Sequence, residues 1–194
     1  MYSAEEILLP LQRLQRAHDE VAHRDILSFD LHTRLKHMVL HFFKYAGKIE
    51  AVRSSRGAEE LRRALLDAFI ICMASANSLN VSLGAALPVE TEVNSLDALA
   101  RVFAKKYRTE DVFSAAVTHL VLIGGSMAKA MESADHMEDG NPRTAMCTLV
   151  AQMTEAVLGL LVQVRTGLEP DIRSRLESVE RKSIFTRPAG ASRR

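Results

Sequence analysis

Aromatic residues are scarce, 5% of a 194-residue chain. No stretch alternates apolar and polar side chains long enough to make a half-buried strand. Without strands there is no Gly-rich phosphate loop following one, and helix is left as the expected element almost throughout. Cysteine is also rare. Cys72 and Cys147 both lie in apolar runs, and two such residues make no metal-ligand pattern. They are expected as buried thiols of a reducing compartment. No continuous apolar run reaches about 18 residues, so no transmembrane helix is expected. The start, MYSAEEILLP, lacks the basic residues of a signal peptide, which makes the cytoplasm the expected location. An excess of one charge is missing too. A net charge of +1 supplies no field for nucleic acid or an acidic membrane, so neither is an expected partner. The exception is Arg181 to Arg194, RKSIFTRPAGASRR, expected to be a solvated basic tail, with contact to an anionic partner as the alternative.

What is present is an ordinary globular composition, 47% hydrophobic and 25% charged. A chain of this length buries about 70% of its unfolded surface and needs no staple. Its length fits one domain or two small fused copies of a unit.

Punctuation residues divide the chain into helices. Ser3 with Glu6 makes a capping-box pattern for a short first helix, which Pro10 is expected to interrupt. A second helix would start at Pro10 and run to about Arg24, with Leu11, Leu14, Ala17 and Val21 buried. Ser28 or Asp30 can cap a long helix ending near Ser54, and Arg53 to Gly57 reads as a turn. The next helix is expected over Ala58 to Leu79, with Glu59 and Glu60 favoured by its dipole. Gly84 to Asn94 is the best linker. Asn94 or Ser95 caps a helix to about Tyr107, and Thr109 caps another to about Met137, with Gly124 and Gly125 either weakening it locally or permitting a close crossing. Asp139-Gly140-Asn141-Pro142 is a turn opening a helix to about Arg165. Gly167 stops that helix, and Pro170 starts a last one to about Lys182.

One stretch carries an unusual pattern. His37 to Glu50 reads HMVLHFFKYAGKIE, and His119 to Glu132 reads HLVLIGGSMAKAME. At the offset of 82 residues that separates His37 from His119, Val39 meets Val121, Leu40 meets Leu122, Ala46 meets Ala128 and Glu50 meets Glu132. Leu14 meets Leu96 upstream. The expected organisation is therefore an N-terminal segment 1–9, a helical repeat 10–88, a divergent second repeat 89–176 and a basic tail 177–194. The two copies would close their apolar faces on each other as a pseudo-twofold all-α bundle.

In the first copy His37, His41, Lys44 and Lys48 step by four, three and four residues, which places all four on one helix face. Lysines bind phosphate as point charges, and histidines donate or shuttle protons near neutral pH. With Tyr45, Asp67 and Asn77 nearby, the face could line a pocket for an anionic ligand. The alternative is half-buried histidines beside lysines that reach to solvent. His37 and His41 also have the spacing of some metal-binding helices, without a glutamate between them or an evident third ligand. Ser54, Ser55 and Ser126 show no His–Asp arrangement. His136 with Asp135, Glu138 and Asp139 makes a small acidic cluster at a helix end.

The segment Asp67 to Leu83, DAFIICMASANSLNVSL, resembles the second motif helix of MazG-type nucleoside triphosphate pyrophosphohydrolases. There an acidic residue precedes an apolar helix ending A-N-x-L-G-I-D-L, which Ala76-Asn77-Ser78-Leu79-Asn80-Val81-Ser82-Leu83 follows. Ala46-Gly47-Lys48-Ile49 resembles that family's V-G-E-L. The likeness covers Leu35 to Leu87. It implies a helical bundle, dimeric or pseudo-dimeric, in which ExxE and ExxD carboxylates hold Mg²⁺ on the triphosphate while water attacks. Here the ExxE positions are Tyr45 and Lys48, and the ExxD positions are Ala64 and Asp67. The second copy offers Ser126 and Lys129, then Gln152 and Glu155. An ammonium at a metal-ligand position repels Mg²⁺, and Asp67 could pair with Lys44 or Lys48 instead.

Three functions remain open. The first is a MazG-like protein without the standard Mg²⁺ site or any cofactor. It would bind a nucleotide or other phosphorylated ligand through His37, His41, Lys44, Tyr45, Lys48, Asp67 and Asn77. The second is an active pyrophosphohydrolase holding Mg²⁺ with Glu50, Asp67, Glu132 and Glu155. The third is a structural or interaction bundle. A homodimer is expected in each case.

Overall fold

The structure is a computed structural model that describes residues 1–186; residues 187–194 of the predicted basic tail lie outside the described residues. The architecture is all-α. Nine helices occur among the described residues: α1 (Ala4–Ala22), α2 (Arg24–Leu27), α3 (Leu31–Arg53), α4 (Ala58–Leu79), α5 (Leu83–Ala86), α6 (Leu96–Ala104), α7 (Val112–Asp135), α8 (Pro142–Val164) and α9 (Leu168–Glu180). Among the described residues the extended pairing is a single bridge, in which Tyr2 and Val93 exchange backbone hydrogen bonds of 2.7 and 2.8 Å.

Local chemistry sets most of these boundaries. Asp30 caps α3 by accepting from the Thr33 amide at 3.0 Å. Asn141 caps α8 through the Thr144 amide, with Pro142 in the first turn. Asn80 ends α4 in the left-handed region at φ 55°, a conformation asparagine tolerates well. Thr109 does not cap α7. Asp111 does, accepting from the Ser114 amide.

The four long helices form a ring in which α3 and α8 each pack against both α4 and α7. Phe42 and Ile49 of α3, Phe69 and Met73 of α4, Met127 of α7 and Leu158 and Leu161 of α8 fill the centre. Helix α6 lies on α8, while α1 lies against α4 and α5, and α9 closes over α1, α4 and α6.

Several expectations are corrected. Pro10 does not break the first helix, and α1 runs through it from a complete Ser3–Glu6 capping box. Proline costs a helix its hydrogen bond to the carbonyl four residues back. Pro10 is exposed, so the freed Glu6 carbonyl lies on the solvent side. The helix also turns a different face inward. Leu8, Leu11, Gln12, Gln15 and His18 are buried, whereas Ala17 and Val21 are exposed. Polar partners on α4, α5 and α9 make this face the better one to bury.

The expected linker is ordered. Leu83 and Gly84 are buried in α5, and a Cβ on Gly84 would lie 2.3 Å from the Glu5 Cα. Glycine is required there by the close approach of α1. Of the glycine pair in α7, buried Gly124 faces α3, where a Cβ would lie 3.5 Å from Phe43 and 3.7 Å from Phe42, while at Gly125 a Cβ would meet nothing within 4 Å. The expected tail boundary at 177 falls inside α9.

Two helices, α7 and α8, are long and apolar enough to cross a bilayer by length and composition, although neither is a continuous apolar run. Most of the apolar stretch of α8 is buried inside the bundle, and less of that of α7 is.

Candidate functional site

A cleft of about 240 Å³ opens between α1, α3, α4 and α9. Six of the seven expected ligand-binding residues line it: His37, His41, Lys44, Tyr45 and Lys48 from α3, and Asp67 from α4. Met38, Ile70, Ile71 and Leu176 supply apolar wall. About three turns of one helix therefore present a polar edge over an apolar base, as helical periodicity requires.

Asn77 is the exception. Its Nδ2 donates to the Gln12 carbonyl at 2.9 Å and to Gln15 Oε1 at 2.7 Å. Its Oδ1 accepts from Gln12 Nε2 at 3.1 Å. Gln12 also reaches the Val81 carbonyl and the Leu83 amide. Asn77 is a junction between α1 and the end of α4, fully engaged and outside the cleft.

Within the cleft the α3 groups are linked. Lys44 Nζ lies 3.1 Å from His41 Nδ1, and His41 Nε2 lies 3.1 Å from His37 Nε2. The Tyr45 hydroxyl is 3.2 Å from the same Nδ1. An ammonium can only donate, so His41 Nδ1 accepts and its Nε2–H donates to His37. Burial, helped by the Lys44 charge, drops the His41 pKa to about 4. Burial and Lys44 also lower His37, and burial with the neighbouring Lys48 lowers Lys44. Burial and then the Asp67 charge raise Tyr45, keeping it a neutral donor. Both lysines face the Tyr45 ring, Lys44 at 4.7 Å and Lys48 at 5.8 Å from its centroid.

The expected pairing of Asp67 with Lys44 or Lys48 is not found. Asp67 is taken by Arg175 of α9, with Nε–Oδ1 2.6 Å and Nη2–Oδ2 2.8 Å. Among the described residues, no carboxylate lies within 4.0 Å of Lys44 or Lys48. The acid that could have neutralised them is held by a better, bidentate partner.

The carboxylate set Glu50, Asp67, Glu132 and Glu155 is not brought together as a metal site. Glu50 is exposed and bound by Arg53, Glu132 is exposed and bound by Lys129, and Glu155 is buried and bound by Lys106 at 2.9 Å. Each has its own cation, and only Asp67 reaches the cleft. The acidic cluster around His136 is likewise divided, with Asp135 bound by His32 and Lys36 and Glu138 by Lys129. Cys72 is buried and Cys147 half-buried, both as free thiols.

Sequence reasoning missed Arg175, which enters from a helix 108 residues beyond Asp67. It also missed His18, Asp19 and His23, which line the same cleft. Their signal was local, in Ala17 to His23, AHDEVAH, where two histidines flank an acid. No protein-family model matches the chain, and no curated protein or solved structure matches it either.

Proposed function

We propose that the chain binds a small phosphorylated or otherwise anionic molecule in this cleft, a nucleotide being the class that fits the reading best. The observation that carries it is the pair Lys44 and Lys48. Two adjacent ammonium groups with no carboxylate within 4.0 Å among the described residues, at the mouth of an apolar cleft, are held against their own repulsion, and an anion relieves it. His37 and the Tyr45 hydroxyl add donors, and the apolar wall suits a base or ring. Asp67 bound by Arg175 has no need of a metal, which favours binding without the standard Mg²⁺ site.

The MazG-type resemblance supports the same placement. Three of the positions where that family carries carboxylates, Tyr45, Lys48 and Asp67, line this cleft. The ring of α3, α4, α8 and α7 is also an arrangement that two copies of one helical unit would produce. A homodimer is part of this reading, supported by Leu40 and Leu122, 65% and 63% exposed on α3 and α7. Those two positions correspond in the two proposed copies.

Thermal-shift measurement with inorganic phosphate, pyrophosphate and nucleoside mono-, di- and triphosphates tests the function, with and without Mg²⁺. A ligand at a hundred times its Kd stabilises by about 2.7 kcal/mol, several degrees in Tm for a chain of this size. The shift is expected without metal and is expected to vanish in Lys48→Ala. Pyrophosphate release that needs Mg²⁺ and stops in Asp67→Asn would establish the enzyme reading instead.

A further inference from the structure

At the α1 end of the cleft, His18, Asp19 and His23 bring their ligand atoms within 4.8 Å of one another. The backbone accounts for it. His18 and His23 are five residues apart, which on a continuous helix would put them on different sides. Helix α1 stops at Ala22, and His23 takes φ −134°, ψ 43° between α1 and α2. That break folds the second imidazole back toward the first, leaving the rings edge-on with centroids 5.4 Å apart.

The three groups do not satisfy each other. Among the described residues, no Lys, Arg or His nitrogen lies within 4.0 Å of the Asp19 carboxylate, although Asp19 is partly buried. Its one hydrogen bond from a side chain comes from Gln15, at 2.6 Å to Oδ2. The imidazole–carboxylate gaps are thus too long for hydrogen bonds. Two ligands of a tetrahedral ion with bonds of about 2.0–2.2 Å lie roughly 3.3–3.6 Å apart, so the groups would have to draw in by about an ångström. A small side-chain rotation closes the difference.

His18 is already oriented. Its buried ring is held at Nδ1 by the Glu180 carboxylate at 3.0 Å, and Nε2 has no hydrogen-bond partner among the described residues. A carboxylate on the far nitrogen of a ligating histidine fixes the tautomer and raises its basicity. The surrounding charges are few. Arg34 of α3 is the cation whose field reaches Asp19, and its guanidinium is engaged with the Leu27 and Phe29 carbonyls at 2.9 Å. His37 of α3 also lines this end, its pKa lowered by burial and then by Lys44.

We propose that His18, Asp19 and His23 form a site for a divalent transition-metal ion, oriented by Glu180 and open toward the cleft. Two imidazoles and one carboxylate select zinc or a similar first-row ion over Mg²⁺ or Ca²⁺. Three protein ligands leave at least one position for water or an anionic ligand. The site goes beyond the anion-binding reading and is independent of it, because Lys44 and Lys48 are not ligands.

Calorimetric titration of the full chain with Zn²⁺, and Co²⁺ absorption spectroscopy, test the site. The expected result is one ion per chain, with affinity reduced at least tenfold by Asp19→Asn and by His23→Ala. His41→Ala and Lys48→Ala are expected to leave it unchanged. Side-chain ¹⁵N NMR of the wild-type protein reads the same site without any substitution, and the His18 and His23 resonances should move on zinc addition. Failure to bind zinc at micromolar concentration, loss of binding in His41→Ala, or movement of His37 and His41 instead overturns the proposal.

Discussion

The Arg175 guanidinium grips the Asp67 carboxylate with two parallel hydrogen bonds of 2.6 and 2.8 Å. The two side chains are only 24% and 12% exposed. This pair ties α9 to α4 and occupies the acid that would otherwise cancel the lysines. Removing one member of such a pair strands a charge, so Arg175→Ala should cost about 3 kcal/mol in urea unfolding. Asp67→Ala with Arg175→Ala together should cost less than the sum by roughly 1–3 kcal/mol. Asp67→Asn releases the guanidinium into the cleft and should tighten binding of inorganic phosphate several-fold, read by calorimetry. Additive stability losses would show that the pair is not coupled.

The depressed His41 pKa makes stability depend on pH in a defined direction. The unfolded chain takes up this proton near 6.5 and the folded chain only near 4. Between these values the unfolded state holds more protons, so stability is fully present above about pH 6.5 and falls as pH drops toward 4. The ring is partly solvated, which limits the effect to roughly 1–2 kcal/mol. His41→Gln should flatten the curve of unfolding free energy in this window. A variant curve parallel to the wild type would remove His41 as the cause.

Asn77 is expected to matter for folding and not for binding. It holds α1 to α4 through Gln12 and Gln15, and Gln12 in turn caps the start of α5 at the Leu83 amide with a 2.7 Å bond. Asn77→Ala leaves these buried amides unpaired and should cost about 2–3 kcal/mol. Ligand affinity, measured below the melting range, should stay within twofold of the wild type. A tenfold loss of affinity at unchanged stability would return Asn77 to the site.

Gly84 tests the close approach of α5 and α1. A methyl group there would meet Glu5 Cα at 2.3 Å and the Ala4 carbonyl oxygen at 2.5 Å. These are backbone atoms that cannot rotate away, so Gly84→Ala should destabilise by about 1–3 kcal/mol. Gly125→Ala faces open space in mid-helix and should stabilise by roughly 0.5–1 kcal/mol. Chemical denaturation of the two variants should move in opposite directions.

Helix positions were legible in the sequence because caps and turns are local. Asp30, Asn141, Pro142 and Gly167 act within one turn of chain, and the α4 limits follow from Gly57 and Asn80. The four cleft residues of α3 were legible for the same reason, since helical periodicity alone puts His37, His41, Lys44 and Lys48 on one face. Pro10 and the buried face of α1 were misjudged. Hydropathy favoured Ala17 and Val21, whereas partners distant in sequence satisfied Gln12, Gln15 and His18.

The sequence by itself determined the all-helical class, most helix ends and the basic edge of α3, all of which depend on neighbours a few residues away. Only the tertiary structure decided that Arg175 and not a lysine holds Asp67. It likewise separated Asn77 from the cleft and gathered His18, Asp19 and His23 beside Glu180. Those outcomes turn on which side chains meet across helices, from 62 residues apart for Asn77 and Gln15 to 162 for His18 and Glu180, and on desolvation that local pattern does not encode.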